Sequence, residues 1–293
     1  MNEPIVVGFD GSPESGAAAD WAAREAVRTG RRLDLVRAWP WPPSHALGRE
    51  DALRWSRAEL ARQEAALRAE HEGLTTTSVQ VTDDPETALA AVGEGAAMLV
   101  LGSRGLGALH GYLVGSVSHG VLARATCPVV LVRPGDPAGG TGPDAAGDAG
   151  AGVMLWLDLR HPCDAVVEFA FEAAAGRAVP LMVRHAWDVP GGREYLGFVS
   201  AGPMEESVAE DSRQSLDATL RRWRGLYPEV RVDAEAVRGP AAHALVTASA
   251  SASADLVVLG KHLRRPGPGA HVGPVAHAAV HHVACPVAVV PYL

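Results

Sequence analysis

Residues 101–118 read LGSRGLGALHGYLVGSVS and follow the apolar run of residues 96–100. They set Gly102, Gly105 and the pair Gly115-Ser116 in the spacing G-x2-G-x9-G-[S/T], and an apolar helical pattern (Val117, Val121, Leu122) begins at the last glycine. Glycines turn through backbone conformations closed to other residues and let a ligand approach with no Cβ in the way. A helix beginning there aims its free N–H groups and the positive end of its dipole at an anion. Ser116 and Ser118 each add a hydroxyl donor. Strand, glycine loop and helix start in this order predict a phosphate cradle, and so nucleotide binding.

Simpler readings stand beside this one. Gly102 and Gly105 could form only a tight turn after a strand, Ser116 could be a helix N-cap, and Asp10 could cap a helix starting near Pro13. Arg104 could be a solvated loop charge. Rival phosphate motifs fit less well. A Walker loop needs a lysine after its glycines, and the chain's only lysine is Lys261. Gly102, Gly105 and Gly107 crowd as in a dinucleotide loop, but they follow the fourth strand and not the first. An ATP-pyrophosphatase loop of SGGxDS type is absent after strand one, where residues 10–15 read DGSPES.

The elements that must position these residues are written twice. The strand of residues 5–9 ending at Asp10 returns as 153–157 ending at Asp158, and residues 33–38 closed by Trp39 return as 180–186 closed by Trp187, both at an offset of 148. Residues 98–102 and Cys127-Pro128-Val129 return as 256–260 and Cys285-Pro286-Val287, at an offset of 158. A repeat this regular means duplicated domains. Between them, residues 134–152 are a Gly/Pro/Ala/Asp run without apolar periodicity, which reads as a flexible linker. The expected boundaries are a first domain at 1–134, a linker at 135–151 and a second domain at 152–293.

Apolar strands alternate with helical patterns at 13–29, 48–72, 85–94 and 116–125, which predicts a parallel sheet with helices on both faces. Five strands are expected per half, in two Rossmann-like α/β domains. Ligands in such sheets bind beyond the carboxyl ends of the strands, where the strand order reverses. Asp10 and Gly102 are placed to meet there.

Composition bounds the rest. The 293 residues, 47% hydrophobic and 20% charged, are those of a globular chain of about two domains. No apolar run approaches the ~18 residues that cross a bilayer, and the N-terminus lacks a signal-type pattern, so a cytoplasmic protein without membrane contact is expected. A net charge of −8 argues against a protein that grips nucleic acid through its phosphates. Cys127, Cys163 and Cys285 form no CxxC pair, so neither a disulfide framework nor a cysteine-rich zinc site is suggested. His277 and His281 lie four apart with Cys285 four further on, a conceivable zinc spacing. A buried core role for Cys285 is simpler, and no metal ligand is assigned.

With these motifs in place, the chain resembles a tandem universal stress protein of the ATP-binding type. The resemblance rests on residues 8–12 (GFDGS), 102–105 (GSRG), 115–118 (GSVS) and 127–129 (CPV), and covers the second half only at the level of fold. It implies five strands per domain in the order 3-2-1-4-5, with ATP, with or without Mg2+, at the loops after strands one and four. Gly8 and Asp10 would lie at the nucleotide, Asp10 against its ribose. The main chain around Ala38 would line the adenine pocket, and Gly102, Arg104, Gly105, Gly115, Ser116, Val117 and Ser118 would surround the phosphates.

In the second half Leu263 replaces the second glycine, Pro274 replaces the serine, and Leu159-Arg160 replaces Gly11-Ser12. A leucine is disfavoured at positive φ, and proline has no N–H to donate. This half is therefore expected to bind ATP weakly or not at all, unless Lys261 and Arg264-Arg265 hold phosphate by charge. No catalytic residue is assigned: Asp10 and Arg104 could serve a metal and a charge, but a general base is missing. The expected role is a nucleotide-responsive stress or regulatory protein. A slow ATPase timer and a sensor of AMP or cyclic AMP are the alternatives. Self-association is expected through the last strands, 128–133 and 286–291, which would be sheet edges that need covering, pairing with each other inside one chain or with another chain.

Overall fold

The computed structural model describes residues 3–39, 49–103, 115–135, 152–188, 202–252, 254–263 and 272–293. The first half runs β1 (Ile5–Gly8), α1 (Pro13–Thr29), β2 (Leu33–Ala38), α2 (Arg49–Glu70), β3 (Thr76–Val81), α3 (Pro85–Gly93), β4 (Met98–Gly102), α4 (Ser116–Arg124) and β5 (Val129–Val132). The second repeats it as β6 (Val153–Trp156), α5 (Asp164–Arg177), β7 (Leu181–Trp187), α6 (Gly202–Leu226), β8 (Val232–Arg238), α7 (Ala241–Ser251), β9 (Leu256–His262), α8 (Pro274–His282) and β10 (Val287–Tyr292). Each half has the expected order 3-2-1-4-5. The expected linker falls, beyond Gly135, outside the described residues. Among the described residues no helix is long and apolar enough to cross a membrane.

Local signals set the element ends. Ser12 accepts a hydrogen bond from the Ser15 amide and Pro13 takes the first helical turn of α1, while Gly30 at φ +63° closes it, a left-handed position that glycine occupies at little cost. Asp84 and Pro85 start α3 in the same way. Short runs of valine and leucine form β1, β4, β5, β6 and β9, buried on both faces as strands covered by helices must be. Alternate residues feed two cores. Ile5, Val7, Leu33, Leu35, Val153 and Leu155 pack with α1, α2, α5 and α6. Val6, Leu99, Leu101, Met154, Trp156 and Val257 pack with α3, α4, α7 and α8.

The halves join into one ten-stranded sheet, β3-β2-β1-β4-β5-β10-β9-β6-β7-β8. At its centre β5 and β10 run antiparallel, with Leu131, Val130 and Val129 opposite Val287, Ala288 and Val289. The association expected of these two edges thus takes place within one chain. Both strands are occupied, and neither offers a free edge to a second copy.

Charged side chains clamp the seam on both faces. On one, Arg177 of α5 donates to Glu25 of α1 at 2.7 Å, Arg28 pairs with the same carboxylate, and the Arg177 guanidinium lies 5.8 Å from the Trp21 ring. On the other, Lys261 of β9 reaches across to the carbonyls of Leu122 and, at 2.8 Å, Ala123 near the end of α4. Arg133, just after β5, donates to the carbonyls of Val283 and, at 2.6 Å, Val280 near the end of α8. Each half thereby supplies the cation that satisfies the other's helix C-terminus. This corrects the expectation that Lys261 could hold phosphate: its ammonium is buried at the seam and committed to α4. Arg264 and Arg265 lie outside the described residues.

Two predictions follow from the seam. Glu25 is 4% exposed between two guanidiniums, so Glu25→Ala should lower the unfolding free energy by about 3–5 kcal/mol, because it leaves buried cations unpaired; urea denaturation measures it. Burial pushes Lys261 down from 10.5 to about 8. Between those values the folded chain binds fewer protons than the unfolded chain, so the contribution of Lys261 to stability rises with pH across the window. The stability of the native chain relative to Lys261→Met should therefore improve as pH is raised from 8 towards 10.5; a constant difference would mean that the ammonium is solvated.

Candidate functional site

The first half carries a cavity of about 240 Å3 beyond the carboxyl ends of β1, β2 and β4. It sits where the chain leaves β1 for one side of the sheet and β4 for the other, the switch point of an open α/β sheet. Gly8, Asp10, Ala38, Gly102, Gly115, Ser116, Val117 and Ser118 all line it. Residues separated by more than a hundred positions in sequence are therefore brought together as expected. Arg104 and Gly105 lie outside the described residues. Three helices begin at this wall, α1 beside Ser12 and Glu14, α3 at Pro85 and α4 at Gly115, and their N-termini turn partial positive charge inward.

Helix α4 starts without a side-chain cap. Gly115 is its N-cap and Ser116 its first helical residue, so Ser116 is not the cap that serine often provides. Among the described residues no side chain caps its first amides, the groups that a helix start leaves without an intrahelical partner. Ser118 departs from the expected role: its buried hydroxyl donates to the Gly102 carbonyl at 3.0 Å, tying α4 to the end of β4. Gly102 also differs from expectation in its reason. A Cβ there would stand 2.6–2.8 Å from the backbone of Glu14 and Ser15, so the missing side chain admits the first turn of α1.

Asp10 does not cap α1 either. Its Oδ1 accepts from the Ser12 amide at 2.9 Å, its own amide donates to the Ser15 hydroxyl at 3.3 Å, and Ser12 caps the helix. Burial alone would raise the Asp10 carboxyl, but the hydrogen bonds from Ser12 and Ser15 outweigh it and hold it below its ordinary value. An exposed anion is thus fixed on a turn at the cavity mouth, suited to accepting hydroxyl groups.

Two supporting residues escaped the sequence reading. Arg37 of β2 is 4% exposed and donates to the Asp10 carbonyl at 3.1 Å and to Glu59 of α2 at 2.5 Å. The rings of Trp39 and Trp55 lie 5.4 and 5.5 Å from its guanidinium. Gly11, at φ +87°, leaves the space that the Glu59 carboxylate fills. The available signal was an arginine in the core-facing register of Leu33 and Leu35, a position that demands partners.

The second half has a cavity of the same volume at the equivalent place, with different walls. The turn after strand one survives: the Asp158 carboxylate accepts from the Arg160 amide at 3.0 Å, as Asp10 does from Ser12. His185, at the repeat position of Arg37, donates Nδ1–H to the Leu157 carbonyl at 2.9 Å. The phosphate side is rebuilt. Strand β9 continues past Gly260 through Lys261 and His262, paired with Pro291 and Tyr292, whereas β4 ends at Gly102. The Tyr292 ring covers Gly260, 2.7 Å from where a Cβ would stand, and packs edge-on to His262 at 5.3 Å. Helix α8 opens on Pro274, which has no N–H.

The two glycines at the ends of β4 and β9 therefore differ in what crowds them. Gly102→Ala must displace helix backbone and is expected to cost about 1–3 kcal/mol, the range of core overpacking. Gly260→Ala meets a side chain at a strand end and should cost less. Denaturant unfolding of the two variants checks the order.

Comparison with known proteins agrees with this architecture. The sequence model of the universal stress protein family matches twice, at residues 1–133 and 153–291. A universal stress protein of Mycobacterium tuberculosis is 32% identical over 301 residues, spanning 97% of this chain and 96% of its own length. One of Mycolicibacterium smegmatis is 31% identical over 300 residues, spanning 98% and 96%. Among solved structures, a universal stress protein of Archaeoglobus fulgidus superposes with a TM-score of 0.70 at 15% identity, covering 99% of both chains. Two copies of the fold, two matches to one family model and near full-length relatives lead to one conclusion: this chain is a tandem member of the universal stress protein family.

Proposed function

We propose that the first half, residues 1–134, binds one adenine nucleotide, with ATP as the leading ligand, and that the chain acts as a nucleotide-responsive stress or regulatory protein of the cytoplasm. The observation that carries this is the convergence of an uncapped helix N-terminus at Gly115, Ser116 and Val117 with the fixed Asp10 carboxylate in one switch-point cavity. In this reading the amides of α4 and the Ser116 hydroxyl hold the phosphates, joined by Arg104 and Gly105. Asp10 takes the ribose hydroxyls, and the main chain at Ala38 lines the base. Where Mg2+ accompanies the nucleotide, Asp10 is a carboxylate of the cavity wall available to it. The second half, residues 152–293 beyond a linker at 135–151, is the structural or regulatory partner, because Tyr292 and Pro274 stand where its phosphate side would need open space and an N–H.

Binding is the function proposed, and turnover is the competing reading. A ligand of this kind acts by favouring one conformational or assembly state over another. Single-turnover measurement of ADP release separates the two, since sustained hydrolysis would assign the chain to slow ATPases. Competition among ATP, AMP and cyclic AMP in the same titration identifies the preferred ligand.

The decisive variant is Ser116→Asp. An acidic residue in the first turn favours the helix itself while repelling phosphate, so folding should be intact and ATP affinity should fall at least tenfold in calorimetric titration. Pro274→Asp, its counterpart in the second half, should leave affinity and a stoichiometry of about one nucleotide per chain unchanged. Two nucleotides per chain, or full affinity in Ser116→Asp, would overturn the assignment.

A further inference from the structure

Arg37 stands behind the Asp10 turn. It follows Leu33 and Leu35 in the row of β2 side chains that shares a core with Leu60 and Leu67 of α2, and only 4% of it is exposed. One terminal nitrogen of its guanidinium donates to the Asp10 carbonyl at 3.1 Å and the other to the Glu59 carboxylate at 2.5 Å. The Trp39 and Trp55 rings, 5.4 and 5.5 Å from it, add cation–π attraction. A guanidinium is a rigid planar fork. With one prong held by Glu59 of α2, the other sets where the Asp10 carbonyl lies.

The second half shows what the same turn needs when that fork is missing. His185 occupies the repeat position of Arg37 and bonds to the carbonyl of Leu157, one residue before the acid, at 2.9 Å. The Asp158 carboxylate still accepts from the Arg160 amide at 3.0 Å, and α5 still follows. The strand-turn-helix connection therefore forms without a buried cation at this position. A buried ion pair is also weak evidence for stability, because desolvation offsets its attraction. What Arg37 and Glu59 add in the first half is a third anchor on Asp10, whose amide is already bonded to the Ser15 hydroxyl and whose Oδ1 accepts from the Ser12 amide.

We propose that Arg37 is the positioning residue that makes the first-half site selective for ribose hydroxyls, by fixing the backbone that aims the Asp10 carboxylate. The inference rests on the reading of Asp10 as the acceptor of those hydroxyls. A carboxylate has about four acceptor sites, so the bond to Ser12 leaves capacity for a sugar. Loss of the guanidinium frees the Asp10 carbonyl and leaves the Glu59 carboxylate unpaired in the space that Gly11, at φ +87°, keeps open for it. The carboxylate then loses its aim. Phosphate binding depends on α4, and the base on main chain at Ala38, which the β2–β3 ladder holds through its pairing with Val81. Neither depends on Arg37, so its effect is confined to the sugar.

Calorimetric titration of the full chain with ATP and with 2′,3′-dideoxy-ATP, which lacks both hydroxyls, tests this. The native chain should bind ATP about tenfold more tightly, the worth of a hydrogen bond to a charged acceptor, and Asp10→Ala should abolish the difference. In Arg37→Met and in Arg37→Met/Glu59→Leu, ATP affinity should fall to that of the dideoxy compound, whose own affinity stays native. The double variant removes the whole ion pair and carries the test if the single variant, with Glu59 unpaired, does not fold. Glu59→Gln, whose amide oxygen still accepts from the guanidinium, should keep the native ratio.

A native ratio in the double variant, or a lost ratio in Glu59→Gln, would overturn the role of Arg37. An equal loss of both ligands would overturn it too, since that is what a packing residue would produce. Equal affinities in the native chain would remove the ribose from Asp10 and this inference with it, whereas no ATP binding at all would remove the nucleotide reading itself.

Discussion

The pairing of β5 with β10 is the contact on which the rest of the molecule depends. Three residue pairs of valine, alanine and leucine join two five-stranded sheets into one. So short an antiparallel ladder is marginal alone. It holds because it is buried on both faces and flanked by charges that each half contributes to the other. Arg177 closes on Glu25 under one face, while Lys261 and Arg133 meet the carbonyl ends of α4 and α8 on the opposite face. A strand edge that would invite aggregation becomes the centre of the molecule.

That pairing also bears on the two cavities. β10 extends to Tyr292, and its last residues carry β9 two positions beyond the point where β4 stops. The longer ladder puts the Tyr292 ring over Gly260, and α8 opens on a proline. In the first half β4 ends at Gly102, Ser118 ties the start of α4 to its carbonyl, and among the described residues no side chain caps the amides at Gly115. One fold thus builds two sites of equal volume and different chemistry, through changes at the end of strand four, in the helix that follows, in the turn after strand one and at His185, the repeat position of Arg37.

Much of the fold was legible because its signals are local. Apolar runs marked the strands, Ser12-Pro13 and Asp84-Pro85 marked helix starts, and the repeated segments marked the duplication. The site was legible in outline, since Gly8, Asp10, Ala38 and the stretch from Gly115 to Ser118 all reach one cavity. Reasons were harder to read than places. Gly102 looked like room for a ligand and is room for α1, and Ser118 looked like a phosphate donor and is a tie between two elements. Arg37 and Glu59, which hold the Asp10 turn from behind, went unnoticed because their pairing joins β2 to α2 across 22 positions.

The sequence by itself determined the duplicated α/β fold, the strand order implied by its family resemblance, the glycine-serine stretch and its alteration in the second copy. These are written in periodicity and residue type, which act over a few neighbours. Only the tertiary structure decided that the last strands pair with each other and that the single lysine is a helix-capping cation and not a phosphate ligand. Those outcomes depend on which surfaces face one another once the sheets join, and residues about 140 to 150 positions apart carry no local signal of that approach.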